Sequence, residues 1–217
     1  MAIAIHSLKT SNTAGAAITI SCDLSTTAYR FCVVCSQGTW SGTPTGVTCG
    51  GDAMTEQIRW DEGGFASAIH VLKAHKTGTQ DVVVTFASSC NNVIEVYSLR
   101  NVDQTTPVRE SLRAYASTGN PSRAVTSAVG DLIIDSLAWN GDSAAIAMAA
   151  DSPQVDRYQY RYPAAYCAGG SSTKDGAAST TTMSWTRTGL NDIWCQMAMS
   201  VAPSAAEDNG RMRLHIV

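Results

Sequence analysis

Six acidic residues in or beside strand-like segments are the candidates for acid–base chemistry: Glu56, Asp61, Glu62, Glu95, Asp131 and Asp135. A glycosidase of sandwich fold needs two carboxyl groups about 5–10 Å apart, one as the acid and the other as the base or nucleophile. Glu56 and Glu95 are each isolated on their strands, and Asp131 and Asp135 lie about 13 Å apart at the usual strand rise. We therefore expect these carboxylates to cap turns or to be solvated, with no catalytic residue and no enzymatic activity.

Histidine and cysteine residues are the candidates for metal binding. His70 and His75 are five residues apart on a predicted strand, so their side chains point to opposite faces. Cys32 and Cys35 have the spacing of half a zinc site, but no second pair follows them. All seven cysteines lie within or beside predicted strands. We expect reduced thiols packed in the core, folding in a reducing cytoplasm, and neither a metal nor a cofactor.

The segment Arg157–Tyr162, with the sequence RYQYRY, is the most informative local pattern. In a strand, Tyr158, Tyr160 and Tyr162 line one face while Arg157 and Arg161 line the other. Three interpretations of this segment stay open. It could be a sheet face packed on the core or an aromatic ladder that stacks on sugar rings. It could also be an interface strip, because tyrosine and arginine are enriched at binding hot spots.

The C-terminal segment after Pro203 has an unusual order of residue types. Arg211 and Arg213 are basic, whereas Leu214 and Ile216 are apolar. A free tail is more often polar throughout. An apolar tip therefore predicts docking, onto the chain's own domain or onto a neighbouring subunit, and the four residues are interface candidates.

Composition limits the class of partner. The chain has 217 residues, a formal net charge of −3 and only 15% charged residues. Neither nucleic acid nor an anionic membrane surface is attracted by such a chain as a whole. No segment approaches the ~20 consecutive apolar residues of a membrane-spanning helix. We expect neither a nucleic-acid nor a membrane partner.

Short strand-like runs separated by Gly, Ser, Thr, Asn and Pro dominate the pattern. Phe31–Cys35 is nearly continuous and apolar, as is typical of a strand covered on both faces. Gly50 and Gly51 predict a hairpin turn, and Gly169–Ala178 predicts a flexible loop or hairpin tip. Pro107–Ala116 and Ser143–Ala150 are possible helices.

These elements predict an all-β fold, an antiparallel, jelly-roll-like β-sandwich of about 10–12 strands with at most one or two short helices. No internal repeat stands out. We expect one sandwich domain over residues 1–203 and a C-terminal arm over residues 204–217.

Five runs, taken in order, resemble a family of β-sandwich proteins of tailed-phage virions. They are GVTCGGDAMT (46–55), GTQDVVVTF (78–86), VYSLRNVDQTTPV (96–108), TSAVGDL (126–132) and SWTRTGLNDIWCQMAMSVAP (184–203). The chain departs from the family pattern in having Asn101 where a glycine is common and Cys49 where an aromatic residue is usual.

The resemblance implies a jelly-roll-like sandwich that acts as a capsid cement or decoration protein and stabilises contacts between capsomers. Its partners would be the major capsid protein and further copies of itself, as a dimer or trimer. Its location would be the virion, after assembly in the bacterial host cytoplasm. The alternative is a carbohydrate-binding module of a phage tail or host-facing appendage, which the tyrosine ladder favours.

Overall fold

The computed structural model describes residues 1–39, 42–62, 65–139, 147–162, 167–188 and 193–205. These residues form an all-β, antiparallel structure without a helix. In chain order the strands are β1 (Ala4–Ser11), β2 (Gly15–Leu24), β3 (Phe31–Thr39), β4 (Pro44–Cys49), β5 (Asp52–Ala53), β6 (Thr55–Glu62), β7 (Phe65–Lys73), β8 (Gly78–Cys90), β9 (Asn92–Arg100), β10 (Val108–Ala116), β11 (Ser122–Ser127), β12 (Leu132–Trp139), β13 (Ala147–Ala150), β14 (Val155–Arg161), β15 (Ala168–Asp175), β16 (Ser179–Thr188) and β17 (Trp194–Val201).

The strands form four sheets, which pair into two sandwiches. The N-terminal sandwich has an inner sheet of order β1-β9-β3-β7-β6 and an outer sheet of order β2-β8-β4-β5. The C-terminal sandwich has an inner sheet of order β10-β17-β12-β15-β14 and an outer sheet of order β11-β16-β13. Successive strands alternate between inner and outer sheets, except at β4–β5, β6–β7, β9–β10 and β14–β15, where both strands lie in sheets of the same kind. Two sandwiches thus occupy the range in which we expected one.

The C-terminal sandwich repeats the N-terminal one. β1 corresponds to β10, β2 to β11, β3 to β12, β4 to β13, and β6–β9 to β14–β17, in the same sheet order. Even the bulges coincide. The β1–β9 register shifts between Ile5 and Ser7, and the β10–β17 register shifts after Val108. The β6–β7 register shifts after Glu56, and the β14–β15 register shifts after Asp156. The chain is therefore a structural duplication that its sequence does not display.

The two inner sheets pack face to face. The contact between β12 and β7 has an equivalent in the contact between β3 and β15. The contact between β17 and β7 has an equivalent in the contact between β9 and β15. The equivalent strands β3 and β12 also contact each other. This pattern is that of an approximate two-fold axis between β3 and β12. The interface is a large apolar core, which includes Phe31, Ile69, Tyr97, Ile134 and Met197. Further cores fill each sandwich between its inner and outer sheets.

The four-layer arrangement explains the continuous apolar runs. The side chains of β3 face the inner-sheet interface and the N-terminal sandwich core alternately, as Phe31 and Cys32 illustrate. The prediction that Phe31–Cys35 is covered on both faces is confirmed. The hairpin at Gly50 and Gly51 is also confirmed, since both residues have positive φ. All seven cysteines are buried thiols, as predicted.

Several predicted elements differ from the structure. The described residues form seventeen strands, more than the expected ten to twelve. The helix predicted over Pro107–Ala116 is wrong, because Val108–Ala116 is the edge strand β10. Val108 packs at the inner-sheet interface and Leu112 packs inside the C-terminal sandwich, so the two do not share a helical face. Of Ser143–Ala150, residues 147–150 are the strand β13, and residues 143–146 lie outside the described residues.

The loop predicted over Gly169–Ala178 is wrong for residues 169–175, which belong to β15, a largely buried strand of the C-terminal inner sheet; residues 176–178 connect β15 to β16. Its polar residues find partners on other strands. The Ser171 hydroxyl bonds with the Tyr97 hydroxyl at 2.6 Å, and the Ser172 hydroxyl donates to Asp135 at 2.7 Å. A polar sequence can form a buried strand when every hydroxyl is hydrogen-bonded in this way.

Candidate functional site

The tyrosine strip lies on β14, the edge strand of the C-terminal inner sheet, and on Tyr162 directly after it. Tyr160 and Tyr162 form an edge-to-face pair with ring centroids 5.0 Å apart. The Tyr162 hydroxyl donates to the Asn92 carbonyl at 2.7 Å and accepts from the Asn92 amide at 3.2 Å. Burial raises the pKa of Tyr162 to about 12, and burial also raises the pKa of Tyr158 against the lowering effect of its hydrogen bond with Thr10. The strip thus packs against β1 and β9 of the N-terminal sandwich.

The two arginines of the same strand are half-buried rather than free in water. Arg157 is the extra residue of the β14 bulge, and its Nε donates to the Thr173 hydroxyl at 2.7 Å. The bulge breaks the strict alternation that was expected for residues 157–162. The interface candidates Arg211, Arg213, Leu214 and Ile216 lie outside the described residues.

Glu95 belongs to a polar cluster buried between the inner sheets. Gln37 Nε2 donates to Glu95 Oε2 at 3.1 Å and to the Ser136 hydroxyl at 2.6 Å. The Ser136 and Ser67 hydroxyls are 3.1 Å apart. Burial raises the pKa of Glu95 to about 8. The expectation that this carboxylate is solvated is wrong, because the duplication covers a face that would be exposed in a single sandwich.

Asp135 is buried inside the C-terminal sandwich. It accepts hydrogen bonds from the Ser172 amide and hydroxyl, from Trp185 Nε1 at 2.6 Å and from Gln196 Nε2 at 2.9 Å. Burial raises its pKa to about 6, and these donors oppose the rise. Asp135 is therefore not solvated either; its hydrogen bonds cross-link three strands and the Trp185 ring of the outer sheet.

Asp131 does cap a turn, as expected, but it is buried. It accepts from the Ala128 amide at 2.8 Å and pairs with Arg109 Nε at 2.7 Å. Burial alone would raise its pKa, and the Arg109 and Ala128 hydrogen bonds together bring that pKa below the usual value. Asp131 thus supports the start of β12 and has its oxygens occupied by structural partners.

A polar groove opens in the N-terminal sandwich between β4 and β6. It exists because β6 pairs with β7 in the inner sheet instead of closing the outer sheet beside β4. The cavity measures about 690 Å³. Its polar lining comes from Thr43, Thr45, Glu56, Arg59, Asp61 and His70, and Val47 and Met54 are among its apolar residues.

The bulge of β6 brings the charged groups of this groove together. Without it, Glu56 and Arg59 would point to opposite faces because they are three residues apart. The bulge at Gln57 turns both toward the groove, so that Arg59 Nε lies 3.7 Å from Glu56 Oε1. His70 on β7 is 5% exposed, and its Nε2 lies 3.9 Å from Glu56 Oε2. Burial, followed by the charge of Arg59, lowers the pKa of His70 to about 4.

The sequence did not reveal this groove. Glu56 was interpreted as isolated on its strand, and His70 was paired with His75, which lies beyond the end of β7. The spacing of Glu56 and Arg59 does not indicate that their side chains share one face of the sheet unless the bulge at Gln57 is known. A bulge has no simple signature in a strand without glycine, so only the register of β6 against β7 shows the cluster.

The two ends of the described chain meet at one surface. The Met1 amino group donates to the Ser204 carbonyl at 3.1 Å, and Asn101 Nδ2 donates to the Ala2 carbonyl at 2.8 Å. Asn101 has a φ of 65°, a conformation that favours glycine or asparagine, so it fits a position where glycine is common. Beside this contact Val129 is 79% exposed and Met1 is 49% exposed. We call Met1–Ile3, Val129 and Pro203–Ser204 the terminal surface.

Within the described ranges, no three His, Cys, Asp or Glu residues are grouped so that they could hold a metal ion. The same ranges hold no helix of the length and hydrophobicity needed to span a membrane. No protein-family model, no curated protein and no solved structure matches this chain.

Proposed function

We propose that this chain is a non-enzymatic structural protein of a phage virion, a capsid cement or decoration protein that stabilises contacts between capsomers. Its partners are the major capsid protein and further copies of the chain, as a dimer or trimer, after assembly in the bacterial host cytoplasm. The ordered set of sequence motifs supports this proposal, and those motifs are spread over both sandwiches. Three of them contribute to β4–β6, β8 and β9, and two to β11–β12 and β16–β17.

The terminal surface is the observation that carries the proposal. Large exposed apolar side chains are few among the described residues, and two of the four, Met1 and Val129, lie there. Exposed apolar patches beside polar rims are typical of protein–protein contacts. Residues 206–216 continue the chain from this surface, and a fully extended segment of that length would span roughly 35–40 Å. That distance is enough for Leu214 and Ile216 to contact a neighbouring subunit.

Truncation after Ala205 tests the arm. It leaves the bonds of Ser204 to Met1 and Asn101 in place, so the described fold is preserved. We expect the truncated chain and a Val129→Asp variant to be depleted from purified particles of the phage that encodes them. Val155→Asp is the matched control, since Val155 is equally apolar and 48% exposed but lies on β14.

Full occupancy of the truncated chain on particles would contradict the arm, and absence of the wild-type chain from intact particles would contradict the function. The carbohydrate-binding alternative rests on the tyrosine ladder together with Trp40 and Trp60. Trp60 is buried and stacks on Tyr115, and Trp40 lies outside the described residues. The ladder is half-buried against the N-terminal sandwich, and the Tyr162 hydroxyl is hydrogen-bonded to Asn92, so that surface does not favour sugar stacking.

A further inference from the structure

We propose that the groove between β4 and β6 of the N-terminal sandwich binds a neutral saccharide. This activity is separate from attachment to a virion and does not rest on it. The site is formed by Glu56, Arg59, Asp61 and His70 over an apolar floor that includes Val47 and Met54. A volume of about 690 Å³ lies within the range of ordinary small-molecule sites.

The first argument is the mixture of donors and acceptors. The carboxylates of Glu56 and Asp61 accept hydrogen bonds, and the Arg59 guanidinium donates them. The neutral His70 ring can do both, because its pKa is lowered to about 4. Sugar hydroxyls also donate and accept, so they match such a lining. Apolar side chains can cover the C–H faces of a sugar ring at the same time.

The second argument is an unsatisfied buried side chain. The His70 side chain is only 5% exposed, and its Nδ1 has no hydrogen-bond partner among the described residues. Its Nε2 is 3.9 Å from Glu56 Oε2, which is too long for a hydrogen bond. The Thr43 hydroxyl in the same wall is also unpartnered within the described part of the chain. Buried polar groups without partners are uncommon in native proteins and call for an explanation. On the groove side of the same ring, a ligand hydroxyl between His70 Nε2 and Glu56 Oε2 would bridge two groups that do not hydrogen-bond to each other directly.

The third argument comes from the internal duplication. His70 pairs with Glu56 across β6 and β7, and Ser172 pairs with Asp156 across β14 and β15, at equivalent places in the two sandwiches. The Ser172 hydroxyl donates to Asp135 at 2.7 Å and accepts from Gln154 Nε2 at 2.8 Å. The fold therefore can satisfy a polar group at this position, and it does so in the C-terminal copy. Only the copy that lines the groove is left unsatisfied.

The charged side chains that line the groove favour a ligand without net charge. An anion would meet the carboxylates of Glu56 and Asp61. A cation would meet Arg59, and no three metal-ligating side chains are grouped within the described ranges. A ligand without net charge avoids both repulsions and can still use every polar group of the lining.

The experiment uses the full chain. A glycan array with neutral and charged saccharides identifies the tightest neutral probe, which is then titrated by calorimetry. The variants are Glu56→Gln, on a side chain that is 37% exposed and does not hold the core, and His70→Phe. Asp156→Asn is the matched control at the equivalent position. Ring ¹⁵N shifts of His70 are recorded with and without the probe.

We expect the wild-type chain to bind a neutral saccharide. Glu56→Gln weakens binding about tenfold or more, as for loss of a hydrogen bond to a charged group. Asp156→Asn has no effect, and the His70 ring shifts on binding. Two results would overturn the proposal: no neutral saccharide is bound on the array, or Glu56→Gln binds with the same affinity as the wild type. If, in addition, Tyr160→Ala loses binding, the saccharide binds at the tyrosine strip and not in the groove.

Discussion

Substitution of Glu95 by glutamine tests whether the carboxyl group between the inner sheets carries a proton at neutral pH. Glu95 is completely buried, and its Oε1 has no hydrogen-bond partner among the described residues. Burial raises its pKa from 4.5 to about 8. The unfolded chain loses this proton above pH 4.5, whereas the folded chain holds it until about pH 8. The free energy of unfolding must therefore fall as the pH rises through this window.

The magnitude follows from the two pKa values. One pKa unit corresponds to about 1.4 kcal/mol, so the full loss between pH 4.5 and pH 8 is about 5 kcal/mol. At pH 7 about 3 kcal/mol of it has already been lost. Glutamine cannot ionise and still offers an oxygen to Gln37. The stability of Glu95→Gln relative to the wild type should therefore rise with pH by about 5 kcal/mol and become constant above pH 8.

We expect urea unfolding to measure this difference at a series of pH values from about 4 to 9, with tryptophan fluorescence and circular dichroism as the signals.

Other buried groups also titrate. Asp135, with a raised pKa of about 6, acts in the same direction, and His70, with a pKa lowered to about 4, destabilises the fold as the pH falls. Both are shared by the two proteins and cancel in the difference. Asp81→Asn, on the exposed side of β8, is the control and should follow the wild type. Parallel curves for the wild type and Glu95→Gln would refute the reasoning.

Three further substitutions test the packing. Gly169→Ala places a methyl group 2.8 Å from Gln37 Oε1 and 3.0 Å from Val93 Cβ, so we expect a loss of about 1–3 kcal/mol in urea unfolding; an unchanged midpoint would contradict this close packing. Arg109→Ala leaves the buried Asp131 carboxylate without its ion pair, and a loss of about 3 kcal/mol that shrinks toward low pH is expected, because protonation of Asp131 removes the unpaired charge. Tyr162→Phe removes both hydrogen bonds to the Asn92 main chain, which should cost about 1–2 kcal/mol and increase amide exchange at Asn92.

The sequence predicted those parts of the fold that depend on local pattern. The apolar run from Phe31 to Cys35 and the glycine turn at Gly50 and Gly51 are such local signals, and both predictions were confirmed. Trp139, Trp185 and Trp194 lie in strands and are likewise buried.

The sequence did not predict features whose stabilising partners lie far along the chain. Gly169–Asp175 looks like a loop because its serines reach Tyr97 and Asp135, on other strands, for their hydrogen bonds. Glu95 looks solvated unless a second sandwich is known to cover it. The groove depends on one extra residue in β6, Gln57, which changes the direction of Glu56 relative to Arg59.

The duplication has a consequence for how the two copies can change over time. In a symmetric homodimer each substitution occurs on both subunits at once, so neither can specialise alone. Here both copies are encoded within one polypeptide, and equivalent positions carry different residues: Val34 and His70 in one copy, Asp135 and Ser172 in the other. The N-terminal sandwich has the open, polar groove between β4 and β6, and the equivalent place in the C-terminal sandwich is closed by hydrogen bonds. Because both copies lie in one polypeptide, they can differ in sequence while keeping the approximate two-fold interface that holds them together.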